Sequence, residues 1–447
     1  SASASLAPIQ ISRPTSEFPE WPARQSDIDK ARQFLQRAAR AAGDEGSEKI
    51  LLIPDKDADG LSAGCIVKRT LIRLGANPEN IVLHHIPAGK APSADEELQS
   101  YNARWIIVLD QGSVRGPALV PGGELGWESD DEKAVRTMVL DHHHVKDLDH
   151  DCPTGALLLN ASHHSPVCTS ALLAWCVCRP FWPDDMGGAG EIDYLALIGT
   201  CGDLSINVSW DAPWPDFEPE LKRWGKSKIG KVVAMINAPR RTPLHDAFVS
   251  WKALDVSESP LDVLDAEKNP SFERLNEARR LVASETEKQT HTPPKFSKDS
   301  RVALLTISTP YQVHPSIATR WSGTLKGAKR LEIVMCANTG FDGQKERYVH
   351  FSCRIANAAK ARGENPNIIE LLNDYAARDP SFLDDLRESG QGSFARGHRE
   401  ASGGILSPPF WRRFVDIMQI GVKPTPPPDS IGKSPKKQQL PPQNNKL

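Results

Sequence analysis

No apolar run in the 447 residues approaches the roughly 18–20 residues a helix needs to cross a bilayer, so no membrane span is expected. The opening SASASLAPIQ lacks the charged and long apolar regions of a secretory signal. It also lacks an initiator Met, so removal of an earlier start is expected. The eight cysteines are scattered, and only Cys176 and Cys178 lie close together. No pair of Cys-x-x-Cys elements exists to suggest structural zinc. Their apolar neighbours point instead to reduced core thiols in an intracellular protein, cytoplasmic or nuclear. Lys436 and Lys437 are too few to argue a nuclear address. Strong net charge is missing too. At −3 the chain does not grip duplex DNA with its whole surface, although a local basic groove stays open. No internal repeat is present.

With 39% hydrophobic and 25% charged residues, a globular protein of two domains is expected. Residues 1–25 read as a Pro- and Ser-rich extension along the surface. A helix is predicted from Ser26, with Ser26 and Asp29 at capping-box spacing and Ile28, Ala31, Leu35 and Ala38 on its apolar stripe. KILLIP (49–54), NIVLHHI (80–86), RWIIVLD (104–110) and VRTMVLD (135–141) read as buried parallel strands. Helices are predicted at Ser62–Leu74, Thr169–Cys178 and Glu191–Cys201. This alternation predicts an α/β fold with a parallel-sheet domain over 26–240. Residues 241–297 read as a linker ending in a thinly apolar connector helix. A smaller α/β domain restarts over 298–421 with strands at 302–307, 331–336 and 348–353. A helix over Ile368–Ala377 would be capped by Asn367. From 422 the Pro-, Lys-, Gln- and Asn-rich tail is expected to be disordered.

Four segments share one design, an apolar strand or helix ending in a carboxylate or histidine. DKDADG sets Asp55, Asp57 and Asp59 directly after KILLIP, with Gly60 allowing a sharp turn. WIIVLD ends on Asp110, TMVLD on Asp141-His142-His143-His144, and the run IGTCGDL carries Asp203. Taken singly, the acidic turn fits a solvated or calcium-binding loop, Asp110 a helix cap, and the His run a solvated stretch. Together they suit divalent cations, because carboxylates this close repel one another unless a cation joins them. Sites in open α/β sheets form beyond the carboxyl ends of strands, where three of the four lie. Mixed carboxylate and imidazole donors favour manganese, zinc or iron, and two such ions could clamp a phosphate.

These segments resemble the DHH phosphoesterase superfamily, which includes RecJ exonucleases and nano-RNases. DKDADGLSAG resembles its first motif, VLDQGS the second, VLDHHHV the third and IGTCGDL the fourth. FSCRI and RGHREASGG resemble the Ser-x-Arg strand and Gly-His loop of a C-terminal DHH-associated domain of the first type. The resemblance covers about residues 28–420. It implies a catalytic centre in which Asp57 binds one metal and Asp59 the other. Asp110 would bridge them, while His142 and Asp203 complete the second site. His143 would contact the scissile phosphate, with Asp55 as a further metal ligand. Ser352, Arg354, Arg396 and His398, with the Gly397 and Gly403 backbone, would hold the substrate's distal phosphate or terminus. Many relatives carry His where Asp55 or Ile53 stands, and Arg396 replaces a common Gly.

The resemblance implies two divalent ions, manganese first and magnesium second. It implies hydrolysis of single-stranded or short nucleic acid from an end. Two alternatives stand beside this: a phosphatase or phosphodiesterase of small nucleotides or polyphosphate, and an inactive RecJ-like scaffold. The six intact Asp and His positions argue against the scaffold. Residues 296–415 hold 17 Lys+Arg against 12 Asp+Glu, a local excess suited to an anionic substrate. Trp210, Trp214, Trp224 and Trp251 lie among basic residues, and read either as a base-stacking track or as the packing of an insertion. His163 and His164 read as a loop near the site or a solvated one.

Overall fold

The computed structural model describes residues 20–423, apart from 45–47, 88–89, 184–189, 326–328 and 342–347. The expected extension, save its last few residues, and nearly all of the tail lie outside the described residues.

The first lobe is built on a five-stranded sheet of β1 (Ile50–Pro54), β2 (Ile81–Leu83), β3 (Trp105–Leu109), β4 (Arg136–Asp141) and β5 (Leu157–Asn160). All pairings are parallel, in the order β2-β1-β3-β4-β5. The four strands expected from sequence are present; β5 was not foreseen, since LLLN is too short to show a period. Side chains alternate between two cores. Ile50, Leu52, Ile107, Leu109, Met138 and Leu140 face one, and Leu51, Ile53, Ile106, Val108 and Val139 the other.

Helices α1 (Gln25–Ala41), α2 (Ala58–Arg73), α3 (Ser170–Cys178) and α4 (Gly190–Asp203) pack into the first core. The second is closed mainly by irregular segments bearing Ile86, Leu98, Leu119 and Val120. Strand–helix alternation therefore holds for one face only. Helix α1 starts a residue before the expected capping box, with Arg24 at the cap and no side-chain cap bond. Arg24 instead pairs with Asp27 at 2.6 Å.

Beyond α4 the chain is mostly helical and packed, both at the end of the expected first domain and in the expected linker over 241–297. Helices α5 (Glu218–Trp224), α6 (Lys226–Asn237) and α7 (Ala247–Asp255) bring Leu221, Ile229, Val232, Val249, Trp251 and Leu254 into the first core. Trp210 makes tilted ring contacts with both Trp214 and Phe217, and Phe217 meets Trp175 edge-on at 5.3 Å. These aromatics are packing, not an exposed track. Helix α8 (Phe272–Thr290) then joins the lobes along one stripe. Leu275 belongs to the first core, while Ala278 and Val282 enter that of the second lobe.

The second lobe has a mixed sheet of β6 (Lys295–Phe296), β7 (Val302–Ile307), β8 (Ile333–Asn338), β9 (Val349–Ile355), β10 (Gly392–Gly397) and β11 (Ala401–Leu406). Its order is β10-β11-β9-β8-β7-β6. Helix α9 (His314–Thr324) covers one face with α8. Helix α10 (Asn357–Ala361) follows β9, and α11 (Ile368–Ala376), α12 (Phe382–Ser389) and α13 (Pro408–Ile417) cover the other face. Asn367 caps α11 as expected, accepting from the Ile369 and Glu370 N–H groups. No helix among the described residues is long and apolar enough to cross a membrane.

Candidate metal centre

The first sheet reverses its winding between β1 and β3, and the acidic residues gather at that switch point. Ile50 to Ile53 are fully buried, each contributing about 1.5–3 kcal/mol, so the turn that follows is held on a rigid strand. The Asp55 N–H donates to Leu109 O and the Asp110 N–H to Leu140 O, both at 2.9 Å. Asp110 has a φ of 60°. A non-glycine residue held in this left-handed region costs of order 1 kcal/mol, a strain typical of functional positions. Asp57 caps α2 by accepting the Asp59 and Gly60 N–H groups at 3.1 Å. Gly60 is required here, because a Cβ would come within 2.7 Å of Asp55 O.

Asp59 is held by the start of α3, whose Ser170 and Ala171 N–H groups donate to its two oxygens at 2.8 and 2.9 Å. The Ser170 hydroxyl donates to Asp110 Oδ1 at 2.9 Å. His142 Nε2 faces three carboxylates at once: Asp110 at 3.3 Å, Asp59 at 3.6 Å and Asp203 at 3.8 Å. Asp203 arrives from the end of α4, which approaches closely because Gly199 lacks a Cβ; one would lie 2.3 Å from that of Ala171.

Four overlapping donor groups result, and two of them, Asp59-Asp110-His142 and Asp55-Asp57-Asp110, share Asp110; His143 joins Asp110 and Asp141 in a third, and His142 and His398 in a fourth. Of the two that share Asp110, the first is dry, with Asp59, Asp110 and His142 side chains 1–3% exposed. The other is more open, with the Asp57 side chain 23% exposed. Burial, then Asp203 and Asp57, drive the Asp59 carboxyl well above the usual range. Burial, then Asp59, Asp57 and Asp55, do the same to Asp110. Asp55 is raised by burial and Asp57. Burial opposes ionisation of Asp57 as well, but Arg240 and the Gly60 N–H outweigh it and the pKa falls.

This donor set fits divalent cations. Ligands about 2.0–2.2 Å from an ion stand roughly 3.0–3.5 Å from one another, close to the spacings around His142. Asp55, Asp57, Asp59, Asp110, His142 and Asp203, all singled out from sequence, are thus brought together.

Two features were missed. Asp141 Oδ1 accepts the His142 and His143 N–H groups and lies 2.8 Å from His143 Nδ1. Burial would lower the His143 pKa, but Asp141's charge and hydrogen bond raise it to about 10. Asp141 stood in the His-rich motif, yet nothing in the sequence separated it from a plain strand end. Arg240 and Arg241, in a 3-10 turn Pro239–Arg241, also reach the cleft. Arg240 Nη2 lies 3.5 Å from Asp57, and Arg241 Nη1 donates to Ser316 Oγ at 3.0 Å.

The second lobe places Ser352 and Arg354 on β9, with Arg354 Nη1 donating to Ser352 Oγ at 2.8 Å. Gly403 pairs with both Ser352 and Arg396, and a Cβ there would strike Phe351 O at 2.2 Å. Gly397 has a φ of 108°. Arg396 is exposed. His398 lies at the tip of the β10–β11 hairpin. Its ring stacks on His143 at 5.1 Å and lies 4.6 Å from that of His142. Burial, then His142 and His143, push its pKa down to about 2, which favours the neutral imidazole beside these two histidines. His144 and His163 rings stand 6.3 Å apart, and His163 Nε2 is 2.7 Å from Val145 O, so this loop borders the His-rich motif.

No family model and no curated protein matches this sequence. Solved structures do match. RecJ of Thermus thermophilus in complex with Mn2+ aligns at a TM-score of 0.54 and 16% identity, covering 88% of this chain and 54% of that one. This chain therefore spans about half the length of that RecJ. An exonuclease RecJ bound to manganese aligns at 0.50 and 16%, covering 88% and 93%. The DHH domain of a member of the S1P family of ribosomal proteins aligns at 0.56 and 16%, covering 88% and 90%. By architecture, this chain has the fold of these RecJ and DHH-domain structures.

Proposed function

We propose that the protein is a metal-dependent phosphodiesterase that hydrolyses single-stranded or short nucleic acid from an end. The observation that carries this reading is the sharing of Asp110 between two donor groups at the sheet's switch point, the arrangement a two-metal site requires. Two divalent cations, manganese or magnesium, would polarise a phosphoryl oxygen and make a bound water nucleophilic. Asp57 and Asp55 would hold one, Asp59, His142 and Asp203 the other, and Asp110 both. His143, kept protonated by Asp141, would offset charge growing on the scissile phosphate.

Anion binding falls to the cleft. Arg241 and Arg354 have no carboxylate partner among the described residues, and Arg can pair two phosphate oxygens at once. Ser352 orients Arg354, and Arg396, Gly397 and Gly403 shape the loop beside it. The hairpin tip at His398 narrows the cleft next to the metal ligands, which favours a chain end over an internal bond.

The decisive experiment incubates purified protein with manganese and end-labelled oligonucleotides, dinucleotides and polyphosphate, then resolves the products. Ordered release of mononucleotides from one end is expected. Hydrolysis of polyphosphate alone would replace the nuclease reading. Excess chelator should abolish activity, and added manganese should restore it better than magnesium. Full turnover in metal-free protein would exclude the two-metal mechanism. Arg354→Ala should raise KM about 10- to 100-fold with a smaller effect on kcat, because a charged hydrogen bond is worth about 1.5–3 kcal/mol. Steady-state kinetics on a defined short oligonucleotide measure it, and an unchanged KM would remove Arg354 from substrate binding.

A further inference from the structure

Arg240 touches the metal centre without belonging to any of the motifs. The turn that carries it is anchored to the centre's own backbone: Asn237 Oδ1, at the end of α6, accepts the Ala58 N–H at 2.9 Å, at the start of α2. From there Arg240 Nη2 reaches Asp57 Oδ2 at 3.5 Å and Nη1 reaches Gln312 Oε1 in the second lobe at 3.3 Å. Its Nε is buried and has no partner.

The two donor groups are therefore unlike. Among the described residues, no Lys or Arg forms an ion pair with Asp59, Asp110 or Asp203, which pair only with histidines; Arg354 acts on Asp203 from further away. Asp57 already has a guanidinium beside it, tethered by its own chain and steadied by Gln312. A cation entering beside Asp57 meets a guanidinium 3.5 Å from its carboxylate, whereas near Asp59 and Asp110 the charged neighbour is His143, 3.9 Å from Asp110 and already paired with Asp141.

We propose that Arg240 is a tethered competitor for the cation at Asp57, so that the two sites load unequally. The Asp59-Asp110-His142-Asp203 site holds its ion firmly, and the Asp55-Asp57-Asp110 site binds weakly and exchanges. This rests on the two-metal reading and assigns Arg240 as a positioning residue for charge, not as a ligand. Displaced by the second ion, the guanidinium would be free to meet the substrate's phosphate.

Calorimetric titration of the full chain with manganese alone tests this without any substrate. Wild type is expected to show one tight and one weak site, at least tenfold apart. Arg240→Gln, close in shape and uncharged, should tighten the weak site about tenfold and leave the tight one unchanged. Arg240→Lys should behave as wild type, and Asp57→Asn should remove the weak site alone. Circular dichroism melts confirm that each variant folds. Equal affinities in wild type, or an unchanged or weakened site in Arg240→Gln, would overturn the proposal while leaving the metal centre standing. Failure of wild type to bind manganese at all would overturn the metal centre itself, and the proposal with it.

Discussion

Asp110→Ala should abolish turnover, by roughly a thousandfold or more, or about 4 kcal/mol of barrier. It should also remove both manganese ions from the titration. Asp110 is the one side chain shared by the Asp59-Asp110-His142 and Asp55-Asp57-Asp110 groups, so its loss deprives each of an oxygen. Asp55→Ala, at the edge of one group, should cost less, about 10- to 100-fold, the range seen when support around a ligand is lost. Asp110→Ala should not unfold the protein. Its carboxyl is driven well above the usual range by burial and by Asp59, Asp57 and Asp55, so without a cation it is a liability to the fold. Its melting temperature in chelator is therefore expected to equal or exceed that of wild type. Single-turnover rates, metal stoichiometry and melts on both variants decide the matter. Equal losses for Asp110→Ala and Asp55→Ala would mean that Asp110 does not bridge.

Much of this centre was legible because sequence and geometry share a simple link. A buried parallel strand must end where its backbone bonds end, and whatever follows stands at the sheet's rim. KILLIP, WIIVLD and TMVLD each announce a strand by their apolar run, so Asp55, Asp110 and Asp141 had to lie side by side once the strands paired. Asp203 was legible for a related reason, at the end of a helix whose largely apolar run from Ile192 to Cys201 is buried.

What stayed hidden depends on tertiary packing. The three helices over 218–255 carry polar faces and short apolar stripes, so their burial on α2 and α4 left no strong period to read. The nearness of His398 to His142 is set by how α8 holds the lobes together, and no local pattern around RGHREASGG records that distance. Arg240 was hidden in the same way, about 180 residues from Asp57 and followed by another Arg.

His143→Ala should lower kcat about 100- to 1000-fold, roughly 3–4 kcal/mol, with little change in KM. The side chain is 41% exposed at the mouth of the centre while its Nδ1 lies 2.8 Å from the fully buried Asp141, so the free Nε2 can face a phosphate in the cleft. Its task needs a proton. Metal ions nearby would expel that proton, and burial works the same way. Asp141 opposes both, and without metal ions it lifts the pKa to about 10.

Asp141→Asn keeps an oxygen for the two backbone N–H groups but removes the charge. The folded-state pKa of His143 should then fall, and a base with a lowered pKa loses its proton at lower pH. Turnover of Asp141→Asn is thus expected to decline with rising pH at least one unit earlier than that of wild type, while the two converge in more acidic solution. The pH profile of kcat on a short oligonucleotide, with manganese saturating throughout, reads this directly. Coincident profiles would show that His143 acts neutral, as an orienting contact, and that Asp141 serves only to hold its ring.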